Sequence, residues 1–116
     1  MSDNPRPITY QSLYTACLAD RPLDSPDETI TLVGKHCESG DVLLKDLALP
    51  YASSGDVLVV FATGAYNVSM SSNYNRIPRP AAVLVHSGHS ELVQRREQSE
   101  DLLRYDVMPE RFVALG

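Results

Sequence analysis

Apolar and polar positions divide the chain into short segments rather than long periodic ones. Residues 29–34 (TITLVG) alternate and are rich in branched side chains, which predicts a strand. Residues 57–61 (VLVVF) are an unbroken apolar run after the turn signal Ser53-Ser54-Gly55-Asp56, and predict a buried central strand. Residues 82–86 (AVLVH) predict another strand, whereas 42–49 (VLLKDLAL) suit strand or loop until Pro50 ends them. Residues 8–18 place apolar side chains at Ile8, Tyr10, Leu13, Tyr14 and Cys17, closer to a helical turn leading into a strand than to clean alternation. Residues 64–75 (GAYNVSMSSNYN) are small and polar, hence a loop or a single helical turn. Asn4-Pro5-Arg6-Pro7 is not expected to open as regular structure, because each proline biases its predecessor toward extended geometry. One helix stands out at residues 90–105 (SELVQRREQSEDLLRY), with Ser90 as N-cap, good helix formers, and Arg95, Arg96, Glu91, Glu97 and Glu100 on a solvated face. Short strands separated by regular turns predict a mainly β fold, a small sandwich or barrel with this helix appended at the end.

Composition narrows the function classes. The 116 residues suit one domain, 1–116, with an apolar share of 43% and a charged share of 22%, the balance of a soluble globular chain. A net charge of −5, without a basic stripe, leaves no electrostatic footprint for nucleic acid. The opening MSDNPRP lacks the basic-then-apolar order of a secretory signal, and the longest apolar stretch, 57–62, is far short of a membrane span. Cys17 and Cys37 make no disulfide framework, so free thiols in a reducing cytoplasm are the simpler expectation.

Two segments carry candidate chemistry. In residues 34–41 (GKHCESGD) a thiol, a carboxylate and a hydroxyl adjoin in a loop flanked by glycines, just after a strand. Cys37 suits a proton donor or nucleophile and Glu38 a partner for an ammonium group; by residue type alone the favoured alternative is Cys37 as a small buried hydrophobe and Glu38 as a surface charge, because free cysteines are usually structural. In residues 64–75, Tyr66 follows two small residues, with hydroxyls and amides crowding the turn behind it. That suits a contact to a phosphate oxygen, or a turn whose side chains satisfy their own backbone. His36, His86 and His89 form no metal-ligand pattern with the cysteines, so no metal site is expected.

Taken in order, GKHCESGDVLLKD and GAYNVSMSSNYNRIPRPAAVLV, preceded by SDNPRPITYQSLYTA, resemble the carboxy-terminal signature of the diaminopimelate decarboxylases, within the wider group of pyridoxal-phosphate decarboxylases. The resemblance covers nearly the whole chain. The related ornithine and arginine decarboxylases share a version of the cysteine loop, but SMSSNYN points to the diaminopimelate branch.

The resemblance implies a Greek-key β barrel or sandwich, like the carboxy-terminal domain of alanine racemase, capping a pyridoxal-phosphate-binding (β/α)₈ barrel that this chain lacks. It implies a homodimer with active sites shared across the interface, and conversion of meso-2,6-diaminopimelate to L-lysine and CO₂. Residue by residue, it assigns the cofactor phosphate, with a share of substrate contact, to Tyr66, and the distal carboxylate of the substrate to Arg6 and Tyr10. A guanidinium fork suits a carboxylate because it donates two parallel hydrogen bonds. Glu38 is assigned to the substrate's distal ammonium, and Cys37 is the catalytic acid that returns a proton after CO₂ leaves. Lys35 and Lys45, the two lysines, match no cofactor-anchoring motif, so the chain alone is expected to be inactive. Two alternatives remain: a stand-alone binding or regulatory module with the cap fold, and a related decarboxylase with another amino-acid substrate.

Overall fold

The computed structural model describes residues 1–113. They fall into two compact units, Met1–Ser72 and a second beginning at Asn73. The first holds α1 (Arg6–Tyr10), β1 (Ala16–Leu18), β2 (Glu28–Val33), β3 (Val42–Leu49), β4 (Leu58–Val60) and α2 (Gly64–Met70). The second holds a 3-10 turn (Tyr74–Arg76), β5 (Ala82–His86), β6 (His89–Gln94), α3 (Ser99–Leu103) and α4 (Glu110–Val113).

Strands pair as three separate antiparallel ladders, β1 with β4, β2 with β3, and β5 with β6. The fold is therefore mainly small antiparallel sheets with a few short helices, but no closed barrel forms among the described residues, which corrects that part of the expectation. Closure needs each edge strand to find a second neighbour; β1 and β4, three residues each, pair only with one another.

The β2–β3 ladder builds the first unit's core. Ile30 faces Leu47 and Leu32 faces Leu44, so Lys45 and Asp46 together lie opposite Thr31. This is a bulge, and Asp46 takes φ 54° within it. The extra residue repairs a parity problem: Leu44 and Leu49 are an odd number of positions apart, which would send them to opposite faces of a regular strand. With the bulge both reach the core, where they are 7% and 2% exposed and join Leu18 at 1%. Both α1 and β1 pack against β3.

Three local expectations are corrected. The run 57–61 is not a buried central strand: only Leu58–Val60 pairs, and Val59 and Phe61 are exposed. Arg6 does open a helix, because Pro7 lies in its first turn, where a missing N–H breaks no intrahelical bond. The expected helix 90–105 is a strand over its first part and a helix only from Ser99. Ser87 and Gly88 have φ of 50° and 78°, the two positive values of a type I′ turn, and this hairpin captures His89–Gln94 as β6.

The helix starts later because Asp101 caps it, accepting from the Gln98 N–H at 2.8 Å, while Arg95 donates to both its oxygens at 2.6 and 2.5 Å. The Arg95 fork and the Gln98 amide hold the Asp101 carboxyl well below the usual carboxylate range. In the same unit Arg76 pairs with Asp106 at 2.9 Å and Arg79 with Glu97 at 3.8 Å.

Candidate functional site

The residues given site roles from the sequence, Arg6, Tyr10, Cys37, Glu38 and Tyr66, lie in the first unit, on three supports, of which α2 carries Tyr66. One is the β2–β3 loop. The Gly34 N–H donates to the Asp41 carbonyl at 2.8 Å, closing the loop, and the Asp41 N–H donates to the Glu38 carbonyl at 3.0 Å inside it. The Asp41 side chain is 3% exposed; its carboxylate accepts from the His36 amide at 2.9 Å and contacts the Met1 ammonium. Burial pushes that carboxyl up, but the ammonium and the His36 amide outweigh it and leave the group below its ordinary value. His36 is itself buried, with Nε2 2.9 Å from the Ser2 hydroxyl.

Gly34 is required by this packing: a Cβ there would fall 2.1 Å from an Asp41 carboxylate oxygen. The interior of the loop is thus filled by Asp41 and His36, and Cys37, Glu38 and Ser39 are turned outward and exposed. Of the two readings open for Cys37, a buried hydrophobe is the one this geometry removes.

The second support is α1, which rests on that loop: a Cβ on Gly40 would meet Ile8 Cδ1 at 2.5 Å. The helix carrying Arg6 and Tyr10 is thereby seated on the segment carrying Cys37 and Glu38. A cleft of about 580 Å³ runs between them, lined by Ile8, Gln11, Tyr14, Ser39, Gly40 and Leu43 among others. Tyr10 is exposed.

Arg6 and Tyr66 are brought together. The guanidinium carbon lies 5.3 Å from the Tyr66 ring centre and 6.0 Å from that of Tyr14, within cation–π range of both. Tyr66 holds φ 68°, ψ −31°, kinking α2 after the extended Ala65. A positive φ on an aromatic residue is uncommon and strained, and such strain gathers at functional positions. The ring remains 66% exposed.

The hydroxyls behind Tyr66 are not aimed outward. Ser69 donates to the Tyr66 carbonyl at 2.9 Å and Ser71 to the Val68 carbonyl at 2.8 Å, so both satisfy the local backbone. Asn67 is buried, and its side-chain amide has no hydrogen-bond partner among the described residues. For a pyridoxal phosphate the donor set here fits one edge of the group, through the exposed Tyr66 hydroxyl, and not a full cradle. Lys35 lies 3.7 Å from Asp3, and Lys45 is on β3 in the bulge. Neither lines the cavity beside Arg6.

Two contributors went unassigned in the sequence. Asp41 shows itself only as the end of a loop bracketed by glycines, and Tyr14 only as one apolar position among several in 8–18.

Comparison with known proteins gives a consistent result. The profile of the family described as "Pyridoxal-dependent decarboxylase, C-terminal sheet domain" matches residues 1–64. The chain is 61% identical over 114 residues to the diaminopimelate decarboxylase of Synechocystis, covering 98% of this chain and 24% of that protein. It is 50% identical over 107 residues to the Bacillus subtilis enzyme of the same name, with 92% and 24% covered. It therefore spans about a quarter of the length of these relatives. Among solved structures, diaminopimelate decarboxylase from M. jannaschii superposes with a TM-score of 0.87 at 34% identity, over 96% of this chain and 25% of that one. The Helicobacter pylori enzyme complexed with L-lysine gives 0.79 at 34% identity, over 90% and 25%.

Proposed function

The chain belongs to the pyridoxal-dependent decarboxylases, as their C-terminal sheet domain, and from that premise we propose that it is the cap domain of a diaminopimelate decarboxylase. In this reading the whole protein converts meso-2,6-diaminopimelate to L-lysine and CO₂ in the cytoplasm. The observation that carries it is the 61% identity to the Synechocystis enzyme over nearly the entire chain, together with an outward-facing Cys37–Glu38 tip on a pinned loop. Two solved relatives, from M. jannaschii and H. pylori, hold L-lysine, the expected product. Among the described residues no helix is long and apolar enough to cross a membrane.

Pyridoxal phosphate, when bound, supplies the electron sink for loss of the α-carboxylate. The chain's own residues orient the substrate and manage one proton. Tyr66 holds the cofactor phosphate through its hydroxyl. Arg6 and Tyr10 take the distal carboxylate, and Glu38 takes the distal ammonium, so that only a substrate charged at both ends is gripped. Cys37 delivers a proton to the carbon that loses CO₂. An exposed loop tip suits this division of labour, because Cys37 and Glu38 act on a site completed by polypeptide outside this chain, in a homodimer. Apolar side chains left open on β5 and β6, among them Val85, Leu92 and Val93 at 65–69% exposure, supply surface for such an assembly.

The test is a graft: this chain replaces the corresponding segment of the Synechocystis enzyme. The graft should release CO₂ and L-lysine from meso-diaminopimelate, and the chain alone should release none. Cys37→Ser should lower kcat by about two orders of magnitude or more, the usual worth of a positioned general acid. Glu38→Gln should raise KM while cofactor absorbance stays unchanged. A folded graft that binds cofactor but leaves diaminopimelate untouched sinks the reading.

A further inference from the structure

Arg6 does not stand free beside its cavity. Its guanidinium carbon lies over two tyrosine rings, Tyr66 at 5.3 Å and Tyr14 at 6.0 Å. The same cavity, about 260 Å³, is lined by Arg6, Ser12, Tyr14, Thr15 and Phe61 among others. The Tyr14 hydroxyl is buried and has no hydrogen-bond partner among the described residues. What Tyr14 presents to Arg6 is the face of its ring.

We propose that Tyr14 is a positioning residue for the reaction proposed above: its ring, with that of Tyr66, holds the Arg6 guanidinium in place to receive the substrate's distal carboxylate. This rests on the reading of Arg6 given above. The physical reason is entropic as well as electrostatic. An arginine side chain carries more rotamer freedom than most, and a bidentate grip on a carboxylate is tight only if most of it is lost beforehand. Two aromatic faces remove that freedom without consuming any of the guanidinium N–H donors, because the ring attracts the cation through its quadrupole. A carboxylate partner would do the opposite, since it would occupy the donors the substrate needs. Tyr66 then serves twice, with its hydroxyl toward a phosphate and its ring under Arg6. Tyr14 serves only Arg6.

The experiment uses the graft in the Synechocystis enzyme and separates KM from kcat. Tyr14→Leu should raise KM for meso-diaminopimelate about three- to tenfold, the range of a partly desolvated cation–π contact, with kcat within twofold and cofactor absorbance unchanged. Tyr14→Phe, which keeps the ring, should restore the parent KM. Arg6→Gln should raise KM by about tenfold or more, since it removes a charge-assisted pair. If Arg6→Gln raises KM and Tyr14→Leu does not, the positioning role is overturned while the carboxylate role of Arg6 stands. If Arg6→Gln leaves KM unchanged, the reading beneath it fails as well. A Phe variant as impaired as Leu would move the effect to the hydroxyl and also overturn the proposal. Should Tyr14→Leu fail to fold, Tyr14→Met carries the same expectation.

Discussion

Replacing Gly34 by alanine tests the anchor beneath the candidate site most directly. The added methyl carbon would fall 2.1 Å from one Asp41 carboxylate oxygen and 2.5 Å from the other and from the carboxyl carbon. No contact that short is tolerated, and the obstacle is a buried carboxylate rather than the loose end of a flexible side chain. Either the loop backbone moves or the carboxylate leaves its place. Overpacking of this kind costs about 1–3 kcal/mol. Losing the buried charged hydrogen bond to the His36 amide costs about 1.5–3 kcal/mol more. The sum, about 2.5–6 kcal/mol where both costs fall together, is a large part of the stability of a small domain. With urea slopes of about 1–3 kcal/mol per molar, the unfolding midpoint should fall by about 2 M.

Circular dichroism during urea titration of the chain measures it, with Gly64→Ala as control, because nothing lies within 4 Å of a Cβ at that glycine. A double-mutant cycle sharpens the test: once Asp41→Ala has removed the obstacle, adding Gly34→Ala should cost far less than it does alone. A Gly34→Ala midpoint equal to that of the control would refute the packing of Asp41 under Gly34. With it would go the account of why Cys37 and Glu38 are turned outward.

Two further outcomes follow from the same geometry. The Asp41 carboxyl is lowered in the folded chain from its ordinary 3.8, so its contribution is fully present above that value and is lost as pH falls through the lower folded one. Stability measured by urea midpoint should therefore decline at acid pH, and Asp41→Asn should flatten that decline; an unchanged slope would count against it. Gly88→Ala should destabilise the β5–β6 hairpin by about 1 kcal/mol, because Gly88 sits at φ 78° where a side chain is strained. Amide exchange across Val83–Leu92 and Val85–Ser90 reads it, and unaltered protection would argue against the type I′ turn.

Local chemistry wrote much of this fold into the chain. Alternation announced β2, the apolar run 82–86 announced β5, and the glycines around CESGD announced a sharp loop with polar side chains at its tip. These depend on neighbours in sequence, where period and turn propensity act directly. The helix expected at 90–105 misread a segment whose helix formers were overruled by pairing with β5, through a Ser-Gly turn that propensity alone does not weigh. The run 57–61 looked buried because apolarity signals a preference for burial, while burial itself needs a second surface to cover the strand.

Only the tertiary structure decided that Asp41 fills the loop beneath Cys37, that Gly40 seats α1 on the same loop, and that Arg6 meets the rings of Tyr14 and Tyr66. Gly40 with Ile8 and Arg6 with Tyr66 are distant in sequence, and Asp41 with His36 and Arg6 with Tyr14, though nearer, follow no helical or strand period, so no propensity encodes which side chain will occupy a given space. The chemistry of the site was legible as residue types; its geometry came from packing.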